Sequence, residues 1–371
     1  MTHVFQVTLD PDFPLADVEA IASRLDASGG VHPGFIPPSV GALNLGAVFY
    51  AQHEGWSLVV LPDRNLVSRM ARIAQCGAVD KRDKPTQVAC DLMAFCQAME
   101  LQLEPSIACH ELAACDGNAA AREELGWFRA ADMGGQAREW IDLAMGRRER
   151  VELGEADPPE LADLAFPLRR WRRNYVVCLK IAVLELQPGL PRDKALELLR
   201  WMYEDFQIAG PAALFALFYL APTNSHRRLM RGLRAPDRQK AIAGVRNAAW
   251  DVTQLSDFIA RVDGSEAERR RYFFATADES LAAVVPALFS GLDSADDGPA
   301  LGDILRRVWP EAQAFELANA LRRYVEAQDD PARPQPDVGP GFVEDAIAEG
   351  ERWLMEWSPV ATPTAATGDI L

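Results

Sequence analysis

Two short stretches place a carboxylate just past an apolar, strand-like run: LVVLPDRNLV at 58–67 and YFFATADESL at 272–281. In the first, Leu58 to Leu61 read as a buried strand that Pro62 ends. Asp63 and Asn65 then occupy a turn before Leu66, Val67, Met70 and Ile73 return at helical spacing. In the second, Tyr272 to Ala275 lead into Thr276 and Asp278, and Leu281, Val284, Val285 and Leu288 resume the helical period. Both stretches read as strand, acidic turn, helix. Carboxylates in such turns are the hard oxygen ligands that a divalent cation takes. Side chains at the carboxyl ends of strands in an open α/β sheet converge on one crevice, so Asp63 and Asp278 are expected to meet.

The remaining elements must bring further groups to that crevice. A strand candidate, HVFQVTL at 3–9, precedes DFPLADVEAIASRLDASGG, in which Leu15, Val18, Ile21 and Leu25 suit an amphipathic helix ending at Gly29; PGFIPPS reads as loop. Val88, Leu92, Phe95 and Met99 mark a helix over 86–101, and LQLEPSIACHELAA is a short extended stretch feeding a helix that carries Glu111. From Asn118 to about Val245 the pattern is almost wholly helical, with a Pro-rich break at 158–167 and an all-apolar PAALFALFYLA that should be buried. Sheet-like character is expected to return after Asn247, with NAAWDVTQLSDFIARV and then RRRYFFATADESL. These features divide the chain into 1–117 and 246–328 as two parts of one α/β domain, with 118–245 as a helical insertion or subdomain. The segment 329–371 reads as a Pro-rich linker, a docking helix in VEDAIAEGERWLMEW and a flexible tail.

Composition narrows the function classes. The chain has 371 residues, 49% of them hydrophobic, enough for a sizeable core. A formal charge of −16, from 54 acidic against 38 basic residues, argues against a surface that grips nucleic acid non-specifically, though not against a local basic groove. Cys76, Cys90, Cys96, Cys109, Cys115 and Cys178 show neither a secretory leader nor a C-x-x-C pattern, so reduced thiols in a cytoplasmic protein are expected. The longest apolar run, Pro211 to Pro222, falls short of the roughly 20 residues that span a bilayer, so no membrane segment is expected. His110 between Cys109 and Cys115 has no second paired motif to make a zinc site, which leaves a satisfied histidine and two buried thiols as the expectation. Neither G-x-S-x-G, G-x-G-x-x-G nor a Walker sequence occurs, so no serine nucleophile and no nucleotide cofactor is expected.

The acids, taken in order, resemble those of the PIN-domain or PIN-like metal-dependent ribonucleases. VVLPDRNLV matches the opening strand with Asp63 and a polar Asn65 two residues on, and LEPSIACHELAA places Glu111 near a helix start. Asp251 in AAWDVTQLSDFI corresponds to an acid opening a helix before the last core strand, and FFATADESL supplies the hydroxyl-x-Asp turn with Thr276 and Asp278. The resemblance covers mainly 57–115 and 247–290, and the chain is longer than compact members of that family. It implies a central parallel sheet flanked by helices, with the large helical insertion between the two halves. It also implies that Asp63, Glu111, Asp251 and Asp278 are catalytic and ligate Mg²⁺ or Mn²⁺, with Asn65 and Thr276 orienting them from behind. Two such metals about 3.5–4 Å apart activate water and stabilise the leaving oxygen in phosphodiester hydrolysis.

Each acid also has a plainer reading, because carboxylates are favoured at helix starts. Asp91 and Asp257 are the spare ligands should the register differ, with Asp116 behind them. WRRNY at 171–175 and SHRRLMRGLR at 225–234 put Arg172, Arg173, Arg227 and Arg228 beside aromatic or apolar residues, a pattern that suits contact with nucleic acid or a solvated helix face. The expected activity is a metal-dependent endoribonuclease with an RNA substrate, of the toxin or phage-defence kind, with a protein inhibitor or activating partner. The alternatives are a catalytically silent interaction domain of the same fold, or a metal-dependent phosphoesterase acting on DNA or a smaller substrate.

Overall fold

The structure is a computed structural model that describes residues 6–79, 82–152, 154–156, 158–160, 163–223, 229–290, 300–330, 333 and 341–358. Among them, strands β1 (Val31–Pro33), β2 (Ser57–Pro62), β3 (Gln102–Leu103) and β4 (Arg270–Ala275) form one sheet in the order β1-β4-β2-β3. β2 pairs in parallel with β4 along its whole length, from Ser57 opposite Arg270 to Pro62 opposite Ala275, and in parallel with β3 at Val59 and Val60. β1 runs antiparallel to β4.

The sheet is therefore mixed, which corrects the PIN-like parallel sheet expected from the sequence. Parallel strands need a crossover connection, and helices lie between β2 and β3 and between β3 and β4. β1 follows the helix Leu15–Ser28 and is joined to β2 through the helix Leu45–His53, yet it pairs antiparallel with β4 at the other side of the sheet. It suits an edge, because Pro33 has no N–H to offer a further strand. Gly30 makes the join possible: its carbonyl accepts from the Thr276 N–H at 2.8 Å, and a Cβ there would lie 2.3 Å from the Thr276 carbonyl oxygen. Of the N-terminal strand candidate at 3–9, residues 6–9 carry no strand, and 3–5 lie outside the described residues.

Both faces of the sheet are covered. Leu58, Val60, Phe273 and Ala275 point into a core shared with the helices Leu15–Ser28, Arg64–Cys76, Lys84–Ala98, Asn118–Ala131 and Ala137–Ala144. Val59, Leu61, Tyr272 and Phe274 point the other way, toward Arg169–Leu186, Pro191–Glu204, Gly210–Tyr219, Arg238–Asp263 and the helix Phe342–Glu356. Burial on two faces explains why β2 and β4 read as unbroken apolar runs instead of alternating ones.

Of the two stretches expected to be sheet-like after Asn247, RRRYFFATADESL returns as β4 and NAAWDVTQLSDFIARV does not. The latter continues the 26-residue helix Arg238–Asp263, and Val245, Ala248, Val252, Leu255 and Phe258 bury one side of it. Valine, threonine and aromatic residues favour strands only weakly, and packing along a helical stripe overrides that preference. No helix among the described residues is long and apolar enough to cross a membrane. The linker residues 334–340 and the tail 359–371 lie outside the described residues.

Phe273 is fully buried in β4 and meets Phe35 edge-on, with ring centroids 5.2 Å apart. Phe273→Ala is expected to destabilise the chain by about 3–5 kcal/mol, read as a lower urea midpoint with an unchanged slope.

Candidate functional site

The parallel register of β2 and β4 sets both acidic turns at one end of the sheet. Pro62 lies opposite Ala275, and the Asp63 N–H continues the ladder by donating to the Ala275 carbonyl at 2.8 Å. Asp63 and Asp278 then each start a helix, Arg64–Cys76 and Glu279–Leu288. Asp63 Oδ1 accepts the Leu66 N–H at 2.8 Å, and Asp278 Oδ1 accepts the N–H groups of Ser280 at 2.8 Å and Leu281 at 3.3 Å. Both carboxylates thus cap helices, the plainer reading open to any acid at a helix start.

Thr276 ties the turns together. Its hydroxyl donates to Asp63 Oδ2 at 2.5 Å and accepts the Asp278 N–H at 3.0 Å. Asp63 is 2% exposed and burial raises its pKa, opposed by the bonds from Thr276, Leu66 and Ala277.

Two more acids reach the same place from helices. Glu111 comes from Ser106–Asp116, which follows β3, and Asp251 from the middle of Arg238–Asp263. Asp251 therefore does not open a helix, as its expected family position required. All four acids line one pocket of about 190 Å³, together with Arg64, Asn65, Arg231, Gly244, Asn247 and Gln254. Glu111 is almost wholly buried, and burial, reinforced by the Asp63 charge and opposed by Arg64, pushes its pKa up to about 7. Asp251 is shifted well upward, first by burial and then by the charges of Glu111, Asp278 and Asp63. Its side chain makes no hydrogen bond or ion pair among the described residues, whereas Glu111 Oε2 accepts only from Gln254 Nε2 at 3.4 Å.

Cations stand at the rim. Arg64 is ion-paired to Glu124 at 2.8 Å, and the exposed Arg231 brings Nη2 to 3.8 Å from Asp278 Oδ2. Gly244 sets the position of Arg231, because a Cβ there would fall 1.9 Å from the Arg231 carbonyl oxygen. Any other residue would push that backbone off the helix.

Of the other sequence candidates, Thr276 hydrogen-bonds Asp63, and Asn65 lines the pocket from an exposed position. Arg172 pairs with Glu344 at 2.7 Å and Arg173 bonds Gln207 at 3.2 Å; neither lines the acidic pocket. Arg227 and Arg228 lie outside the described residues. Asp91 is held by Arg24 through both oxygens, at 2.7 and 3.0 Å, and Asp257 pairs with Arg170 and Arg261, so neither joins the cluster. His110 Nδ1 is 2.8 Å from the Leu164 carbonyl oxygen; Cys109 is buried but Cys115 is exposed, where two buried thiols were expected.

Sequence reasoning missed Gln254, Arg231, Gly244 and Asn247. The spacing of Asp251 and Gln254 carried a usable signal, since residues three apart share a helix face once 247–262 is read as helix.

Among the described residues, no group of three or more His, Cys, Asp and Glu side chains could hold a metal ion. The donors are nonetheless of the oxygen type that suits Mg²⁺ or Mn²⁺. Gln254 adds an amide oxygen outside those four residue types, buried and with no partner. The oxygens not engaged in helix caps are those on the helix side of the pocket, at Asp251, Glu111 and Gln254. No family model, no curated protein and no solved structure matches the chain.

An acid whose folded pKa is raised holds its proton more firmly in the folded chain. Its contribution is best below the unfolded pKa and falls as pH rises toward the folded one. For Glu111, between its ordinary 4.5 and about 7, metal-free protein should lose on the order of 2–3 kcal/mol. Asp132, which burial also holds at about 7, contributes in the same direction. Urea midpoints at pH 5 and pH 8 in EDTA should differ less in Glu111→Gln than in the wild type, and least in Glu111→Gln with Asp132→Asn.

Proposed function

We propose that the acidic pocket is the centre of a divalent-cation-dependent phosphoesterase. Its substrate would present a phosphate first: the end of a DNA or RNA strand, or a smaller phosphorylated molecule. What supports this reading is the convergence of four carboxylates from four separate elements on one small pocket with arginines at its rim. A volume of about 190 Å³ is below the roughly 300–1,000 Å³ of pockets that enclose a drug-sized ligand. A phosphoryl group enters, and a nucleoside stays outside.

In this reading Asp251 and Glu111, with Gln254 beside them, hold Mg²⁺ or Mn²⁺, which supplies an activated water and neutralises charge on phosphate. Arg231 pairs with non-bridging phosphate oxygens from the rim, and the amides of Asn65 and Asn247 donate to the same group. Asp63, Thr276 and Asp278 hold the strand-end wall in shape. Cutting within an RNA chain, and a toxin or phage-defence setting, rest on the resemblance alone, because the carboxylate and arginine set has no means of distinguishing a ribose 2′-hydroxyl.

A second reading, a catalytically silent interaction domain, is favoured by two observations. Asp63 and Asp278 are engaged as caps, and no three of the described His, Cys, Asp and Glu side chains could hold a metal. The helical surface would then bind a protein partner.

Turnover of p-nitrophenyl phosphate, bis(p-nitrophenyl) phosphate and end-labelled DNA and RNA, with Mn²⁺, Mg²⁺ or EDTA, separates the two. The phosphoesterase reading expects metal-dependent turnover that falls at least 100-fold in Asp251→Asn while the metal-free urea midpoint is kept. Absence of turnover on every substrate and metal, with a stable complex recovered on a defined protein partner, would establish the second reading.

A further inference from the structure

Which side of the pocket takes the cation follows from which oxygens are already engaged. Asp63 has both of its oxygens bonded, one by the Leu66 N–H and one by the Thr276 hydroxyl. Asp278 Oδ1 accepts two helix N–H groups, and Oδ2 faces Arg231. The two acids most prominent in the sequence are thus the two with least left to offer a metal.

The opposite wall differs. Asp251 and Gln254 stand three residues apart on one face of Arg238–Asp263, and Glu111 reaches them from Ser106–Asp116. Asp251 makes no hydrogen bond or ion pair among the described residues and feels only the more distant charge of Arg231 in its favour. Gln254 is 5% exposed, its Nε2 donates to Glu111 Oε2, and its Oε1 accepts from no group among the described residues. Buried amide oxygens are nearly always satisfied.

We propose that one divalent cation binds on this helix side, ligated by the carboxylates of Asp251 and Glu111 and by Oε1 of Gln254, with water completing its shell. Two carboxylates and one neutral carbonyl carry two negative charges, which one Mg²⁺ or Mn²⁺ balances. The strand-end acids stay in their capping roles, and Arg231 stays with Asp278. This deepens the phosphoesterase reading at the same pocket, but it concerns binding and stands or falls without turnover.

The test is Mn²⁺ binding to the full metal-free chain, followed by calorimetry and by the loss of the free-Mn²⁺ paramagnetic resonance signal. One Mn²⁺ per chain is expected. Asp251→Asn and Gln254→Leu should each weaken it at least 10-fold, Gln254→Glu should restore or tighten it, and Asp278→Asn should change it less than 3-fold. Metal-free urea midpoints identify any variant that fails to fold, and Gln254→Glu carries the comparison should Gln254→Leu be such a variant. Two Mn²⁺ per chain, wild-type binding in folded Gln254→Leu, unchanged or weaker binding in Gln254→Glu with Gln254→Leu unfolded, loss in Asp278→Asn, or no binding at millimolar Mn²⁺ would each overturn the assignment. Binding as expected without turnover on any substrate would leave it standing and remove the phosphoesterase reading. Metal-dependent turnover with Gln254-independent binding would do the reverse.

Discussion

The hydroxyl of Thr276 is the smallest group on which the pocket depends. It donates to a buried carboxylate on one turn and accepts an amide on the next, so the ends of β2 and β4 are joined by one side chain. Burying a carboxylate is tolerable only when its oxygens are satisfied, and Asp63 depends on Thr276 for one of them. The tie also acts through the backbone, because the Thr276 N–H goes to Gly30 and draws the edge strand β1 against β4. A change at this residue would reach the edge of the sheet and the start of two helices together.

Parallel pairing turns that local tie into a site. Once Pro62 is opposite Ala275, the two following turns leave the sheet at the same end, and both strands are held there by apolar layers on two faces. Glu111 and Asp251 then need only lie on helices that pass the same end. The helices are longer lever arms than the turns, and small backbone contacts set them: Gly244 lets the Arg231 backbone lie against Arg238–Asp263, which keeps the guanidinium at the rim.

How much of this was legible in the chain depended on how local the determining interaction is. β2 and β4 were readable because burial on both faces leaves a continuous apolar run, and their turns because an acid follows the run directly. β1 was not, since Val31–Pro33 is three residues long and its pairing depends on β4, far along the chain. The helix around Asp251 was misread because Trp250, Val252, Thr253 and Phe258 are strand-favouring types, although their burial recurs at helical spacing. The four acids were legible as residues of the right type in the right order. Gln254 and Arg231 were not, because an unpartnered amide oxygen and a close backbone approach exist only in the folded chain.

The two halves of the pocket stand on different grounds. Asp63 and Asp278 are accounted for within the chain: each caps a helix through Oδ1, while Asp63 Oδ2 takes the Thr276 hydroxyl and Asp278 Oδ2 faces Arg231. No such local account covers Asp251, which sits in mid-helix among three other acids with no hydrogen bond or ion pair among the described residues, or the Gln254 oxygen beside it. Pressing like charges together and leaving a buried acceptor unmet both oppose folding. Both do so until something offsets them: a proton on Asp251, whose pKa is raised, and a group that meets the Gln254 oxygen. The weight of any functional reading therefore rests on the helix side of the pocket and not on the strand-end acids that first draw the eye.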